Sequence, residues 1–141
     1  MSLTFGLYTD AGLTVPLASN LVATQASDGS TGPVDFQLWL GSNSVGKKIQ
    51  ADSSPGSAQI ALSVADATAG VGHLPAEVKL ALTQGALAAA TGGASLNLGL
   101  TILSSAANAV TFWVRVNDAT GVVGTATELS VNTNTLRETA V

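Results

Sequence analysis

The sequence of 141 residues contains no cysteine. Disulfide bonds and zinc–thiolate sites are therefore excluded, and stability has to come from a packed core. A chain of this length can bury about 70% of the surface that its unfolded form exposes. No composition shift, linker or convincing repeat marks a boundary, so we expect a single domain spanning residues 1–141.

Charged residues are also scarce, at 10% of the chain, compared with about 25% in an average globular protein. The formal net charge is −4, and only five residues are basic. Binding to nucleic acid requires a basic surface, so this composition excludes nucleic acid as a partner. We expect a largely neutral surface, rich in serine and threonine.

One stretch without any charge, residues 80–114, is long enough to cross a bilayer. Polar residues nevertheless interrupt it throughout, and its apolar residues alternate with them. In SLNLGLTI and in AVTFWVRVN every second residue is apolar, which places one face of a strand against a core. We therefore predict strands in this stretch and no insertion into a membrane.

The same period of two predicts strands along most of the chain. The clearest further runs are LTFGL, VDFQLWL, QIALSV, EVKLAL and ELSV, while LVATQ and VGKKIQ are weaker. Residues that favour turns fall between the runs. We therefore predict an all-β protein, an antiparallel Ig-like β-sandwich of about 7–9 strands. Residues 84–91 are rich in helix formers and predict a helix of one or two turns, and residues 136–141 are expected to fray or to extend.

Motifs for catalysis or metal binding are missing from the sequence. The single histidine, His73, lies in GVGHLP, and no nucleophile motif accompanies it. The aspartates are scattered among turns without the spacing of a calcium loop, and the glycines follow no phosphate-loop pattern. We therefore predict a protein that is not an enzyme and holds neither metal nor cofactor, with His73 as a loop residue.

Both tryptophans are expected on the strand face opposite the aliphatic residues. Trp39 shares that face with Asp35, and Trp113 shares it with Arg115. Tryptophan and arginine are enriched at protein interfaces, so Trp39, Trp113 and Arg115 form the candidate interface. Two alternatives remain open. In the first, a loop or residues 84–91 cover this face. In the second, the strand is reversed and Trp39 is the buried tryptophan of an Ig-like core.

Several stretches together resemble a known class of protein. FQLWLGSNSVGKKIQADSSPGSAQIALSVAD, PAEVKLALT, VTFWVRVNDATG and TELSVNT look like small Ig-like β-sandwich proteins of tailed-bacteriophage virions. These are capsid decoration (cement) proteins and tail or baseplate accessory proteins. The resemblance rests on Ala/Thr/Ser-rich strands, few charges and no cysteine. It implies a structural role in the virion and many copies that contact themselves and a capsid or tail protein, and it carries over no site residues.

A second class of function is compatible with the same surface. A carbohydrate- or surface-binding module from a larger secreted protein would stack sugar rings on exposed Tyr8, Trp39 and Trp113. Aromatic residues make up only 4% of the chain, which disfavours the carbohydrate-binding hypothesis. The N-terminal MSLTFGLYTDAG also lacks the basic and apolar regions of a secretory signal. We therefore expect synthesis in the host cytoplasm and, from the resemblance, a location in the virion.

Overall fold

The structure, a computed structural model, describes residues 3–121 and 123–141. This part of the chain contains ten strands, and every pairing between them is antiparallel. The all-β antiparallel prediction is therefore confirmed. The strands are β1 (Gly6–Tyr8), β2 (Val34–Gly41), β3 (Lys47–Ala51), β4 (Ile60–Asp66), β5 (Val78–Ala81), β6 (Leu96–Gly99), β7 (Ile102–Leu103), β8 (Val110–Val116), β9 (Leu129–Thr133) and β10 (Leu136–Ala140).

Hydrogen bonding divides the strands into three sheets. The first sheet has the order β1-β2-β8-β5, the second β10-β3-β7 and the third β6-β4-β9. One hydrophobic core collects side chains from all three, including Phe112 from the first sheet, Ile49 from the second and Leu62 from the third. The sheets therefore enclose a shared core, as in a sandwich.

The centre of the first sheet is the pairing of β2 with β8, which runs from Val34 opposite Val116 to Leu40 opposite Val110. Leu38 and Phe112 are directly opposed, and they are 3% and 0% exposed. Because successive side chains in a strand point to opposite faces, the residues that follow them in sequence face away from the core. The period of two in both runs is thus realised in the structure.

Two runs differ from the prediction. SLNLGLTI forms two strands, β6 and β7, which belong to different sheets. Gly99 ends β6 with a φ of 117°, a conformation that other residues rarely adopt, and the chain leaves the third sheet there. LVATQ forms no strand, although Leu21 packs against the core. A strand needs a hydrogen-bonding neighbour, and an alternating sequence cannot supply one by itself.

The short predicted helix and the chain end also have definite structures. Residues 84–91 contain a single 3-10 turn, Gln84–Ala86, in which the Thr83 side chain accepts a hydrogen bond from the Ala86 N–H group. Residues 136–140 do not fray but form β10, which pairs along the full length of β3. The other helical turns described are Pro75–Glu77 and Ala106–Asn108. Within the described residues no helix has the length and apolar character needed to span a membrane.

Candidate functional site

The side of the first sheet that faces away from the core is called here the outer face. Its rows follow from the register: Tyr8 lies opposite Trp39, which lies opposite Thr111, and the next rows along β2 join Gln37 to Trp113 and Asp35 to Arg115. Arg115, the third residue of the candidate interface, therefore lies on the same face as both tryptophans. The outer face consists of Tyr8, Asp35, Gln37, Trp39, Gly41, Lys79, Ala81, Thr111, Trp113 and Arg115.

The two tryptophans occupy diagonal positions on neighbouring strands. Trp39 is opposed by Thr111, two residues before Trp113 on β8, and side chains on such diagonals are within reach of one another when they are large. Both are half-buried. The adjacent Leu38 belongs to the core, so Trp39 is not the buried tryptophan of an Ig-like core.

Arg115 is bound within the sheet rather than free. Its Nε donates to Asp35 Oδ1 at 2.7 Å, and its Nη2 donates to Asp35 Oδ2 at 3.0 Å. This guanidinium holds the pKa of the Asp35 carboxyl below its ordinary value of 3.8, against an opposing effect of burial and with help from Gln84. The pair brings together two of the three charges at this end of the outer face, where Lys79 lies opposite Arg115 on β5.

Residues 84–91 cover one part of the outer face. Gln84 Nε2 donates to Asp35 Oδ2 at 3.1 Å, and Lys79 Nζ donates to the Ala88 carbonyl at 3.4 Å. Between these two contacts Leu87 is 0% exposed, yet it is not part of the main core cluster. We infer that Leu87 packs on the outer face. This agrees with the first alternative from the sequence analysis, in which residues 84–91 cover the face.

A second covering contact lies at the opposite end of β2. Leu13 is 1% exposed, and a Cβ atom at Gly41 would lie 2.8 Å from its Cδ1 atom. Asn43 Nδ2 also donates to the Leu13 carbonyl. The outer face is therefore covered at both ends of β2, and Trp39 and Trp113 lie in the part between.

The third sheet presents a different surface. Ser63 lies opposite Asn132 and Ala65 lies opposite Ser130, and all four are exposed. None of these outward positions carries a charge or an aromatic ring. The neutral, hydroxyl-rich surface expected from the composition is present on this sheet.

A polar cluster lies where the loop before β5 meets the loop after β8. It consists of His73, Glu77, Asp118 and Glu128 and is called the His73 cluster. His73 Nδ1 is 2.9 Å from Glu77 Oε1 and 3.5 Å from Asp118 Oδ1, and the Glu77 side chain is only 3% exposed. The His73 N–H group donates to Glu128 Oε1 at 2.5 Å. His73 is thus a loop residue, and the loop is packed against three carboxylates.

Sequence reasoning missed this grouping, because its members come from separate loops. One atom each of His73, Glu77 and Asp118 lies within 4.8 Å of the others, a spacing compatible with a metal ion. The oxygens beside the imidazole are already engaged, however: the Ala119 N–H group donates to Glu77 Oε1 at 3.0 Å and the Thr120 N–H group to Asp118 Oδ1 at 2.8 Å. The geometry is that of a hydrogen-bonded cluster in which the imidazole completes the bonding of Glu77.

Two members of the cluster have pKa values that are shifted in opposite directions. The hydrogen bond to Glu77 raises the pKa of His73, burial opposes it, and the charges of Glu77, Asp118 and Glu128 add to the increase. Hydrogen bonds from the N–H and hydroxyl groups of Thr120 lower the pKa of Asp118, and His73 makes a smaller contribution. Both shifts favour the charged forms of the two groups.

Comparison with known proteins supplies no relative from which a role could be transferred. The chain matches no protein-family model, no curated protein and no solved structure. The outer face and the His73 cluster are therefore interpreted from their own geometry.

Proposed function

We propose that this chain is a non-enzymatic structural protein of a tailed-phage virion, either a capsid decoration protein or a tail or baseplate accessory protein, that acts in many copies. The observation that carries the proposal is the outer face, where Tyr8, Trp39 and Trp113 lie half-buried on one sheet. Tryptophan and tyrosine are enriched among the few residues that carry most of the binding energy of protein interfaces. The face thus provides aromatic anchors for a second copy or for a capsid or tail protein.

The ion pair beside these anchors favours burial of the part of the face that it occupies. Removing an unpaired charge from water is costly, whereas a charge that already has a hydrogen-bonded partner loses less on burial. Asp35 and Arg115 already form two hydrogen bonds with each other. Association through the outer face would therefore leave neither of them without a partner.

The anchors are also held in place before any partner arrives. Both tryptophans lie on the two central strands of the first sheet, and Leu13 and Leu87 are packed at its covered ends. A rigid surface loses less conformational entropy on binding than a mobile one. This arrangement supports a surface that binds repeatedly in the same geometry, as a virion component does.

The composition of the remaining surface supports the same role. Few surface charges give a monomer weak protection against association. With 10% charged residues and a third sheet whose outward positions are serine, asparagine and alanine, the chain is suited to close packing in many copies.

Sedimentation equilibrium over a range of concentrations tests the proposal, alone and with purified capsid or tail components. Trp39→Ala and Trp113→Ala are each expected to weaken association by about 2 kcal/mol or more if they are hot spots. Leu103→Ala is the control, because Leu103 is 43% exposed and lies on the second sheet. A monomer at every concentration that also binds no virion component contradicts the proposal. Mass spectrometry of purified virions tests the location directly.

One strand pairing favours the alternative function, a carbohydrate- or surface-binding module. Tyr8 and Trp39 are directly opposed on β1 and β2, so two aromatic rings adjoin on one face. Adjacent rings of this kind would stack on a sugar. Oligosaccharide binding by the monomer, lost in both Tyr8→Ala and Trp39→Ala, would support this function in place of the virion role.

A further inference from the structure

The His73 cluster joins three segments of the chain. His73 contributes its backbone N–H group to Glu128, just before β9, and its imidazole to Glu77, just before β5. Asp118, just after β8, lies 3.5 Å from the same imidazole nitrogen. A single residue therefore connects the ends of strands from the first and third sheets, through its imidazole to the first and its backbone N–H group to the third.

The charge balance of the cluster depends on that side chain. Three carboxylates, those of Glu77, Asp118 and Glu128, face one imidazole. With a neutral imidazole their formal charge is −3, and with a protonated one the sum of −3 and +1 is −2. Glu77 is 3% exposed, and a buried carboxylate is much more stable beside a cation than beside a neutral group. No lysine or arginine is among the ion pairs of these four residues in the described parts of the chain.

The loop after β8 is fastened mainly to Glu77. Its Ala119 N–H group donates to Glu77 Oε1 at 3.0 Å, and its Asn117 N–H group donates to the Glu77 carbonyl at 2.9 Å. The Asp118 N–H group also donates to Gln25 Oε1 at 2.7 Å. The attraction of a protonated His73 to Glu77 and Asp118 adds to these bonds, and it depends on the protonation state of the imidazole.

The position of the cluster determines what a loosening would uncover. His73, Glu77 and Asp118 line a groove whose apolar lining includes Val116 and Val131. Both valines are partly buried against the core. Movement of the loop after β8 would therefore expose apolar surface at this end of the molecule.

We propose that His73 is a protonation-controlled latch: its protonated form holds the loop of residues 117–121 against the loop of residues 72–77, and loss of the proton loosens this end of the protein. The direction follows from the raised pKa of His73. The added stability is fully present below the ordinary value of 6.5, which applies to the unfolded chain, and is lost as the pH rises through the higher value of the folded protein. The latch is independent of the proposed virion role, because it uses none of the residues of the outer face.

Two measurements test the latch. Since His73 is the sole histidine, its imidazole resonance gives its pKa directly by NMR titration. Urea unfolding at about pH 5 and about pH 8 gives the stability on either side of the transition. We expect a pKa above 6.5 and greater stability at the lower pH, by about tenfold in the unfolding equilibrium constant for each unit by which the pKa is raised.

Three variants separate the latch from general effects of charge. Asp118→Asn is expected to lower the pKa of His73, whereas Asp52→Asn, in the exposed pair with Arg137, is expected to leave it unchanged. His73→Gln is expected to lose the stability difference between the two pH values. A His73 pKa at or below 6.5 in the intact protein, or an equal pH difference in His73→Gln, overturns the proposal. The NMR titration decides the question even if His73→Gln does not fold.

Discussion

Arg115 Nε lies 2.7 Å from Asp35 Oδ1, and the two residues occupy directly opposed positions on β8 and β2. Their side chains are 23% and 15% exposed, in contrast to 54% and 44% for the Arg137–Asp52 pair on the second sheet. Exposed ion pairs contribute little because water and salt screen them, and a partly buried pair is screened less. The pair therefore stabilises the pairing of the two central strands.

Replacing Arg115 with methionine is expected to lower the free energy of unfolding, because Asp35 loses both hydrogen bonds to the guanidinium. The pKa of Asp35 is held below 3.8, so this contribution is present above 3.8 and is lost as the pH falls through the value of the folded protein. Urea unfolding at neutral pH and in acid measures the effect. Arg137→Met is the control and is expected to change stability little. If both variants lost the same free energy of unfolding, the Asp35–Arg115 pair would stabilise the protein no more than the exposed pair does.

Gly92 is expected to tolerate no side chain. A Cβ atom there would lie 2.0 Å from the Ala76 carbonyl oxygen, a backbone atom that cannot move without disturbing the turn Pro75–Glu77. Gly92→Ala should therefore lower the free energy of unfolding by about 1–3 kcal/mol.

Gly85 provides the matched control, since a Cβ atom there would meet nothing within 4 Å and its φ is not positive. Gly85→Ala is expected to be neutral or to stabilise by about 0.4–1 kcal/mol. Thermal and urea unfolding of both variants check the prediction. Similar stability of the two would contradict the close approach at Gly92.

Truncation of Leu87 is expected to loosen the cover over the outer face. Leu87 is 0% exposed, whereas Leu82, which precedes the same turn, is 48% exposed. Leu87→Ala should cost about 2–5 kcal/mol, and the control Leu82→Ala should cost much less. Tryptophan emission should shift to longer wavelength in the first variant as water reaches the outer face. An unchanged spectrum would place Leu87 away from the tryptophans.

Neighbouring residues of β8 should respond differently to truncation. Phe112 is 0% exposed and faces the core, so Phe112→Ala is expected to cost about 3–5 kcal/mol. Trp113→Ala removes a larger side chain from the outer face and is expected to cost less, because the core stays filled. Urea unfolding of both monomers provides the measurement. If Trp113→Ala lowered the free energy of unfolding more than Phe112→Ala, the prediction would be wrong and Trp113 would contribute mainly to folding stability.

The alternation of apolar residues was sufficient to predict the fold class and the two central strands of the first sheet. VDFQLWL and AVTFWVRVN became β2 and β8 because their pattern has one face to bury, and burial decides the orientation of a strand. The pattern of SLNLGLTI continues through Gly99 and could not reveal that the chain changes sheets there.

The candidate residues of the outer face were visible in the sequence, whereas the partners within that face and the members of the His73 cluster were not. Trp39, Trp113 and Arg115 were placed on one face by alternation alone, but the partner of Arg115 depends on the register of β2 and β8. His73 appeared isolated because Asp118 reaches it only through the fold. Contacts between distant parts of the chain depend on strand pairing, which local sequence patterns do not specify.

The edge of β1 that faces away from β2 is covered by residues 15–17. Tyr8 forms an isolated bridge with Pro16, and Thr9 N and Leu17 N donate on either side of it. Proline has no N–H group, so the outermost position of this edge offers no donor with which another strand could continue the sheet. At this position, extension of the first sheet by a strand from another molecule is therefore disfavoured.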